Sequence, residues 1–595
     1  MHSAKALILT LATALVACSP SEPETANEAT AAGAGPLDAE AIIVGAGISG
    51  LSAAVEMGRA GVDVLLIDMN TVPGGHAVMA GGFAVVGTPV QEREGYEDSA
   101  DLAFADWQEW TVDGDPEWTR FYAENSRELI YDWAEELGTE WVRVADGYEN
   151  SVPRFHFTPR RAMDYVYVLV KAALDLPNVN FLYNQEVERL TVEDGRVVGV
   201  EIMDLRTGAE RALSGQHVIL ATGGVEGNLE HVLSNWMPNL PKPDRLLIGS
   251  SRHAQGRGLG LAEGAGASLT MLDRHYIYTN GVVNIDDPDR VLAVTAANGL
   301  SMWVNSHGER FTNETGRDKD ILVDLLNQDD TTYWAVFDET SRDGVSMRGV
   351  EWIYSPSDGH PLIDNPEVTS KADTLEELAE MTGLPADALA ASVERFNEMV
   401  AAGKDEDFDR FANKEDAPNL VAEAPFYAMQ FFPMTRKTMG GVSIDMDGRA
   451  IDANGDPVPG LYAIGELTGS VGINGSHGMD GMFLGPAVVT GRVAGKTIAE
   501  SYGDRMKAQV MSAWSMDDPL PDAETWEPSL TAAELETLLA TPRDGYWHFE
   551  MSHDLVIERN HQCTDCNSAE VPFMAISNRE SKQAQLELCS TCHGH

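Results

Sequence analysis

The apolar positions gather in short runs that end on glycine or an acid. Ala41-Ile42-Ile43-Val44 leads into Gly45-Ala46-Gly47-Ile48-Ser49-Gly50, then a segment of small residues, then Val62-Asp63-Val64-Leu65-Leu66-Ile67, closed by Asp68. This order predicts a buried strand, a glycine turn, a helix and a second strand. Val218-Ile219-Leu220 predicts a further strand that ends at Thr222-Gly223-Gly224. Leu389, Val393, Phe396 and Val400 recur at helical spacing and predict an amphipathic helix with one apolar stripe. A run of another kind, Ala6 to Ala17, follows Lys5, precedes Cys18 and is too short to span a bilayer, which reads as a secretory signal. No later stretch is long and apolar enough for a membrane helix.

The glycines carry the first chemistry. Strand, Gly-x-Gly-x-x-Gly, helix, strand and terminal acid about 20 residues on form a dinucleotide-binding fingerprint. Gly45, Gly47 and Gly50 let the backbone approach a pyrophosphate at the helix N-terminus, where unpaired N–H groups favour anions, and Asp68 can bind ribose hydroxyls. Flavin is preferred over nicotinamide because of the glycine motifs downstream: Gly74-Gly75-His76, Ala80-Gly81-Gly82, Thr222-Gly223-Gly224 and Gly460-Leu461-Tyr462-Ala463-Ile464-Gly465-Glu466.

With Trp303-Val304-Asn305, Gly308-Glu309-Arg310-Phe311-Thr312-Asn313-Glu314 and Met439-Gly440-Gly441, this set resembles the fumarate reductase, flavocytochrome c and 3-ketosteroid dehydrogenase superfamily. The resemblance covers about residues 40 to 500. It implies an α/β, doubly wound, Rossmann-like FAD-binding domain interrupted by an α+β capping domain, with the isoalloxazine between them. The expected organisation is a lipoprotein-type signal at 1–18, a flexible tether at 19–38 and FAD-binding parts at 39–272 and 419–503. A cap at 273–418, a linker at 504–540 and a Cys-rich C-terminal module at 541–595 complete it.

Making or reducing a carbon–carbon double bond at a flavin needs a group that moves a proton and groups that polarise the substrate. Arg317, in Glu314-Thr315-Gly316-Arg317-Asp318, matches the arginine that the resemblance assigns as proton donor. The other reading is a salt bridge to Asp318 or a pyrophosphate contact. The resemblance also implies a Glu and an Arg that relay protons, yet the matching stretch is Val294-Thr295-Ala296-Ala297. Its histidine before Thr-Met-Gly-Gly is Lys437, and the substrate-clamping arginine is missing from Gly475-Ser476-His477-Gly478-Met479-Asp480-Gly481. A small dicarboxylate would lose its bidentate charge pairing, so fumarate is not the expected substrate. Phe483-Leu484-Gly485-Pro486-Ala487 is closer to the ketosteroid dehydrogenases. Lys437 and His477 could polarise a carbonyl, against a surface lysine and a loop histidine. Tyr276 and Tyr278 are acid/base phenols or packing aromatics. His76 invites comparison with relatives that hold FAD covalently, but non-covalent FAD is expected.

Four of the five cysteines crowd the end of the chain. Cys589-Ser590-Thr591-Cys592-His593 is a c-type haem attachment motif, and His561-Gln562-Cys563-Thr564-Asp565-Cys566-Asn567 looks like a second that has lost its histidine. Zinc held by Cys563, Cys566, Cys589 and Cys592 is the alternative, and two disulfides the third. Leu15-Val16-Ala17-Cys18 resembles a lipobox, which implies lipid anchoring at Cys18 and a periplasmic setting. The formal net charge of −53 argues against nucleic acid, because a phosphate backbone needs basic surface to replace its counterions. The expected partners are a small-molecule substrate and a periplasmic or membrane electron carrier. The competing reading is a flavin- and metal-bearing electron-transfer or binding module with little turnover of its own.

Overall fold

The computed structural model describes residues 37–503, apart from 71, 206–207, 286 and 349–362. The expected signal, nearly all of the tether, the linker and the Cys-rich module lie outside the described residues, Cys18 and the four C-terminal cysteines included. No helix among the described residues is long and apolar enough to cross a membrane.

The apolar run at the start forms the strand Ala39–Val44, which pairs in parallel with Val64–Ile67 on one side and Glu210–Leu220 on the other. Val179–Leu182 extends the sheet beyond the second strand, and Pro457–Ala463 extends it beyond the third, both in parallel. The strands sit near the middle of a sheet covered on both faces, so they read as unbroken apolar runs. Their register decides where ligands go. Val44 stands level with Ile67 and Leu220, Ile67 with Leu182, and Leu220 with Ala463. The carboxyl ends therefore finish on one line, and Gly45, Asp68, Thr222 and Gly465 emerge together at the edge where open α/β sheets bind ligands.

The helix Ile48–Arg59 follows the first strand and packs against the helix Leu484–Ser501. Small residues allow the close approach: a Cβ on Gly491 would stand 2.3 Å from Ser49 O. A small sheet of Phe83–Ala84, Arg143–Ala145 and Phe155–Phe157 extends this domain. Beside it, fully buried Arg154 pairs with Asp98 at 2.7 Å and Asp106 at 2.6 Å, and donates to Asn150 Oδ1 at 2.9 Å. That pairing anchors the loop carrying Glu149.

The second large sheet has Phe426–Thr438 at its centre, flanked by Tyr333–Asp338 and His275–Val283. The helix Ala386–Ala402 turns the predicted stripe of Leu389, Val393, Phe396 and Val400 into the core beneath this sheet. The region so formed, where the sequence led us to expect a cap, does not stop at 418. Tyr427, Met429 and Phe431 alternate inward and are buried, and their strand pairs along its length with cap strands. The chain leaves the cap only at Met439. Leu247–Ile248, from before the expected start at 273, also joins this strand.

Candidate functional site

A cleft opens along the carboxyl ends of the parallel strands. Its wall includes Gly45, Gly47, Asp68, Gly75, His76, Thr222, Gly223, Lys437, Glu466 and Phe483. Gly45 has φ +111°, and a Cβ there would stand 2.3 Å from Ala221 O, so no side chain fits. Gly47 caps the helix Ile48–Arg59 without any side-chain hydrogen bond, which leaves the first N–H groups facing the cleft. A Cβ on Gly47 or Gly223 would meet nothing within 4 Å, so both sites open onto free space. Asp68 accepts from Ala46 N at 2.7 Å and Asn70 N at 2.8 Å, which fixes its carboxylate at the cleft edge. Thr222 Oγ1 is buried without a protein partner. Bare backbone, an uncapped helix start and a fixed acid suit a dinucleotide's pyrophosphate and ribose.

Other glycines of the pattern serve packing. Gly50 approaches Gly45 O, where a Cβ would stand at 2.0 Å, and Gly82 approaches His156 O at the same distance. A Cβ on Gly81 would stand 2.9 Å from the Phe155 ring. Gly81 and Gly82 thus hold the turn against Phe155–Phe157, off the cleft wall, where the sequence suggested cofactor contact. Gly74 donates to Ala46 O at 2.8 Å and tightens the turn before Gly75. Gly465 donates to Thr490 Oγ1 at 2.9 Å, and Glu466 accepts from Thr438 N at 3.1 Å. His76 Nδ1 lies 3.0 Å from Ser250 Oγ.

Next to the Lys437 and Phe483 part of this wall, Tyr276 pairs with Lys437 across the strands, stacks on Phe483 at 5.6 Å and meets Tyr278 edge-on at 5.0 Å. The tyrosine ring lies where a side chain on Gly478 would be, since a Cβ there would come within 2.7 Å of it. Tyr276 Oη donates to Asp318 Oδ2 at 3.4 Å. Asp480 N donates to Glu149 Oε1 at 3.1 Å. The Arg436 guanidinium stands 5.6 Å from the Tyr278 ring and donates to Gly249 O at 2.5 Å. Burial and the Asp480 charge push Glu149 up to about 7, and burial and the Asp318 charge push Asp480 up to about 6. Desolvation by the surrounding protein raises Asp318 as well, although Asp318 and Asp480 both keep exposed surface. Burial pushes the Lys437 ammonium down to about 8, against the pull of Glu466. Behind it, buried Glu226 faces His275 Nδ1 at 3.1 Å and accepts from Thr438 Oγ1 at 3.3 Å.

Arg317 is not aimed into this group. It is 50% exposed, and its Nε donates to Asp320 at 2.5 Å, the acid one turn on in the helix Asp318–Leu326. The ion pair suggested by the sequence is real, but its partner is Asp320 and not Asp318. His477 is half-buried, and burial and nearby Lys319 push its imidazole down. Glu149, Asp318, Asp480 and Arg436 do not stand out in the sequence. Asp318 and Asp480 lie within recognisable motifs, but beside residues with stronger signals; Glu149 carries none. No group of three His, Cys, Asp or Glu side chains among the described residues could hold a metal ion. Cys563, Cys566, Cys589, Cys592 and His593 are outside them.

The profile of the FAD binding domain family (FAD_binding_2) matches residues 40–484. The chain belongs to this family. A KsdD-like steroid dehydrogenase of Mycobacterium tuberculosis is 31% identical over 550 residues, covering 78% of this chain and 96% of that one. A fumarate reductase (cytochrome) of Shewanella frigidimarina is 30% identical over 468 residues, covering 78% and 77%. Among solved structures, the open conformation of a flavocytochrome c3 fumarate reductase matches with a TM-score of 0.64 at 27% identity, over 78% of each chain. This family member is an FAD-dependent oxidoreductase of the ketosteroid dehydrogenase and fumarate reductase kind, acting on CH–CH groups. FAD fits the glycine-lined end of the cleft, with Gly45, Gly47, Asp68, Thr222 and Glu466 as the residues that would hold it.

Proposed function

We propose that this oxidoreductase makes or reduces a carbon–carbon double bond next to a carbonyl, in a substrate that is not a small dicarboxylate. The observation that carries this reading is the trio Glu149, Asp318 and Asp480 around Tyr276. A dianion placed there would meet carboxyl groups where a fumarate site needs cations, at a cost of several kcal/mol for like charges brought together. A neutral, largely apolar substrate suits the Tyr276, Tyr278 and Phe483 surfaces, and the likeness to a KsdD-like steroid dehydrogenase supports a ketosteroid-type molecule.

Bound FAD supplies the hydride acceptor or donor. The chain's own residues do the rest. Lys437, a cation below about pH 8, polarises the substrate carbonyl, and the phenols of Tyr276 and Tyr278 hold or move the proton. Arg436 beside Tyr278 favours whichever form of that phenol carries negative charge.

The protein is further proposed to be exported, lipid-anchored at Cys18 in the periplasm, and to exchange electrons with a membrane or periplasmic carrier through c-type haem at Cys589, Cys592 and His593. What supports this is the leader-like start and the Cys-x-x-Cys-His motif. Purified holoprotein should oxidise a 3-ketosteroid with an artificial acceptor and fail to reduce fumarate with a reduced dye; fumarate turnover at a comparable rate would overturn the substrate reading. Denatured protein matured in a haem-competent periplasm should keep covalent haem, whereas zinc on four thiolates without haem would overturn the electron-transfer reading.

A further inference from the structure

Tyr276 is poorly suited to accept a proton unaided. Its phenol is pushed well above the usual tyrosine value, by burial first and then by Tyr278, Asp318, Asp480 and Glu149. A phenol that keeps its proton so firmly can take one from carbon only if it passes its own proton on at the same moment. The side chain bonded to it that can receive one is Asp318, through Oδ2 at 3.4 Å. A separation at the long end of the hydrogen-bond range is usual for a catalytic pair before substrate closes on it.

Asp318 does not stand alone. Its charge acts on Asp480, and the Asp480 backbone is bonded to Glu149 Oε1 at 3.1 Å. Glu149 is 7% exposed and fixed by the Asn150 amide at 2.9 Å, on the loop that buried Arg154 anchors. The charged and titratable groups around them include Lys437, opposite Tyr276 in the sheet, Tyr278 and Arg436 from the same strands, Lys319 next in the helix, and Tyr333, whose phenol feels Asp318. Lys319 Nζ is held over the Trp110 ring at 4.0 Å.

We propose that Asp318 and Tyr276 act as one acid–base couple, with the exposed Asp318 carboxyl exchanging its proton with solvent. The inference rests on the proposed function above and adds Asp318 to it as a catalytic residue. In the dehydrogenating direction the substrate C–H bond breaks, its proton goes to Tyr276 Oη, and the Tyr276 proton goes to Asp318 Oδ2. The freed electron pair would become the second bond of C=C, and FAD held at Gly45, Gly47, Asp68, Thr222 and Glu466 would supply the acceptor for the hydride of the neighbouring carbon. Reduction of a double bond runs the same transfers backward.

Two measurements on the full-length holoprotein test it. In ketosteroid turnover with an artificial acceptor, Asp318→Asn and Tyr276→Phe should each lower kcat by about 10²-fold with FAD content and Tm unchanged. The double variant should lose no more than the worse single one, since the two act as a unit. Asp318→Asn within about threefold of wild type, or losses that multiply in the double variant, would overturn the couple. The second measurement needs no substrate: proton uptake when dithionite reduces the bound flavin near neutral pH. Extra negative charge near the site raises the proton affinity of its carboxylates, so wild type should take up about half a proton more per flavin than Asp318→Asn. Equal uptake overturns the assignment of Asp318 as the proton-holding group. A wild type inert on ketosteroids but with the extra uptake would reject the substrate reading and leave that assignment standing.

Discussion

At the Gly45 end of the cleft the binding surface is backbone, made of strand ends in one register and a helix start without a cap. At the Tyr276 end it is made of side chains drawn from residues 149, 276–278, 318, 436–437 and 480, on both the cap and the FAD-binding domain. The first surface is set by local geometry, which few residue types other than glycine permit. The second depends on how distant segments meet. Cofactor binding and substrate chemistry should accordingly fail separately when each end is altered.

The largest effect is expected where backbone geometry is least forgiving. Gly45→Val places a β-branched side chain at φ +111° and 2.3 Å from Ala221 O, within a parallel sheet that cannot give way. Purified Gly45→Val should carry no FAD and should not take it up, read by flavin absorbance after denaturation. Retention of FAD at wild-type stoichiometry would mean that this turn does not hold the cofactor.

Gly478 tests whether the contrast is complete, because here a missing side chain serves the substrate end. Its absent Cβ leaves room for the Tyr276 ring, which would otherwise stand 2.7 Å away. Gly478→Ala should shift Tyr276 and lower kcat by about tenfold or more, since small misplacements of catalytic groups are costly, while FAD stays bound. Loss of FAD in this variant would show that the two ends are mechanically one.

A smaller and pH-dependent effect is expected from Lys437. Burial pushes its ammonium down to about 8, so the cation is present below that pH and is lost as pH rises through it. If the charge polarises substrate, kcat/KM in wild type falls above about pH 8, and Lys437→Met is several-fold slower below pH 8 and lacks this alkaline limb. A limb that persists in Lys437→Met would assign the titration to another group.

The same division explains what could be read from sequence. Gly45-Ala46-Gly47 and Asp68 are close in sequence to the elements that place them, so spacing alone locates the dinucleotide end. The apolar stripe of Ala386–Ala402 is legible for the same reason. Asp318 and Glu149 are 169 positions apart, and nothing local to either marks a catalytic role. The cap boundary slips because Phe426–Thr438 follows the polar stretch 403–419 and reads as a return to the FAD-binding domain until its pairing with Tyr333–Asp338 is seen. Gly81 and Gly82 show the opposite error, in which a glycine pair that resembles cofactor contact serves backbone packing.

The smallest effect is expected at Arg317, and it sharpens the comparison most. Resemblance places a proton donor at this position, whereas in the structure its guanidinium is 50% exposed and bonded to Asp320 within its own helix turn. An arginine acts as an acid only where burial makes its charge costly, and the Arg317 side chain is 50% exposed and paired with Asp320 at 2.5 Å. Arg317→Ala should therefore keep kcat within about threefold of wild type, keep FAD, and cost no more than about 1 kcal/mol of stability for the exposed ion pair. A loss of two orders of magnitude with FAD retained would return the donor role to Arg317. That result would require the cap to close in turnover so that Arg317 exchanges Asp320 for the substrate, and it would remove the need for the Asp318 couple.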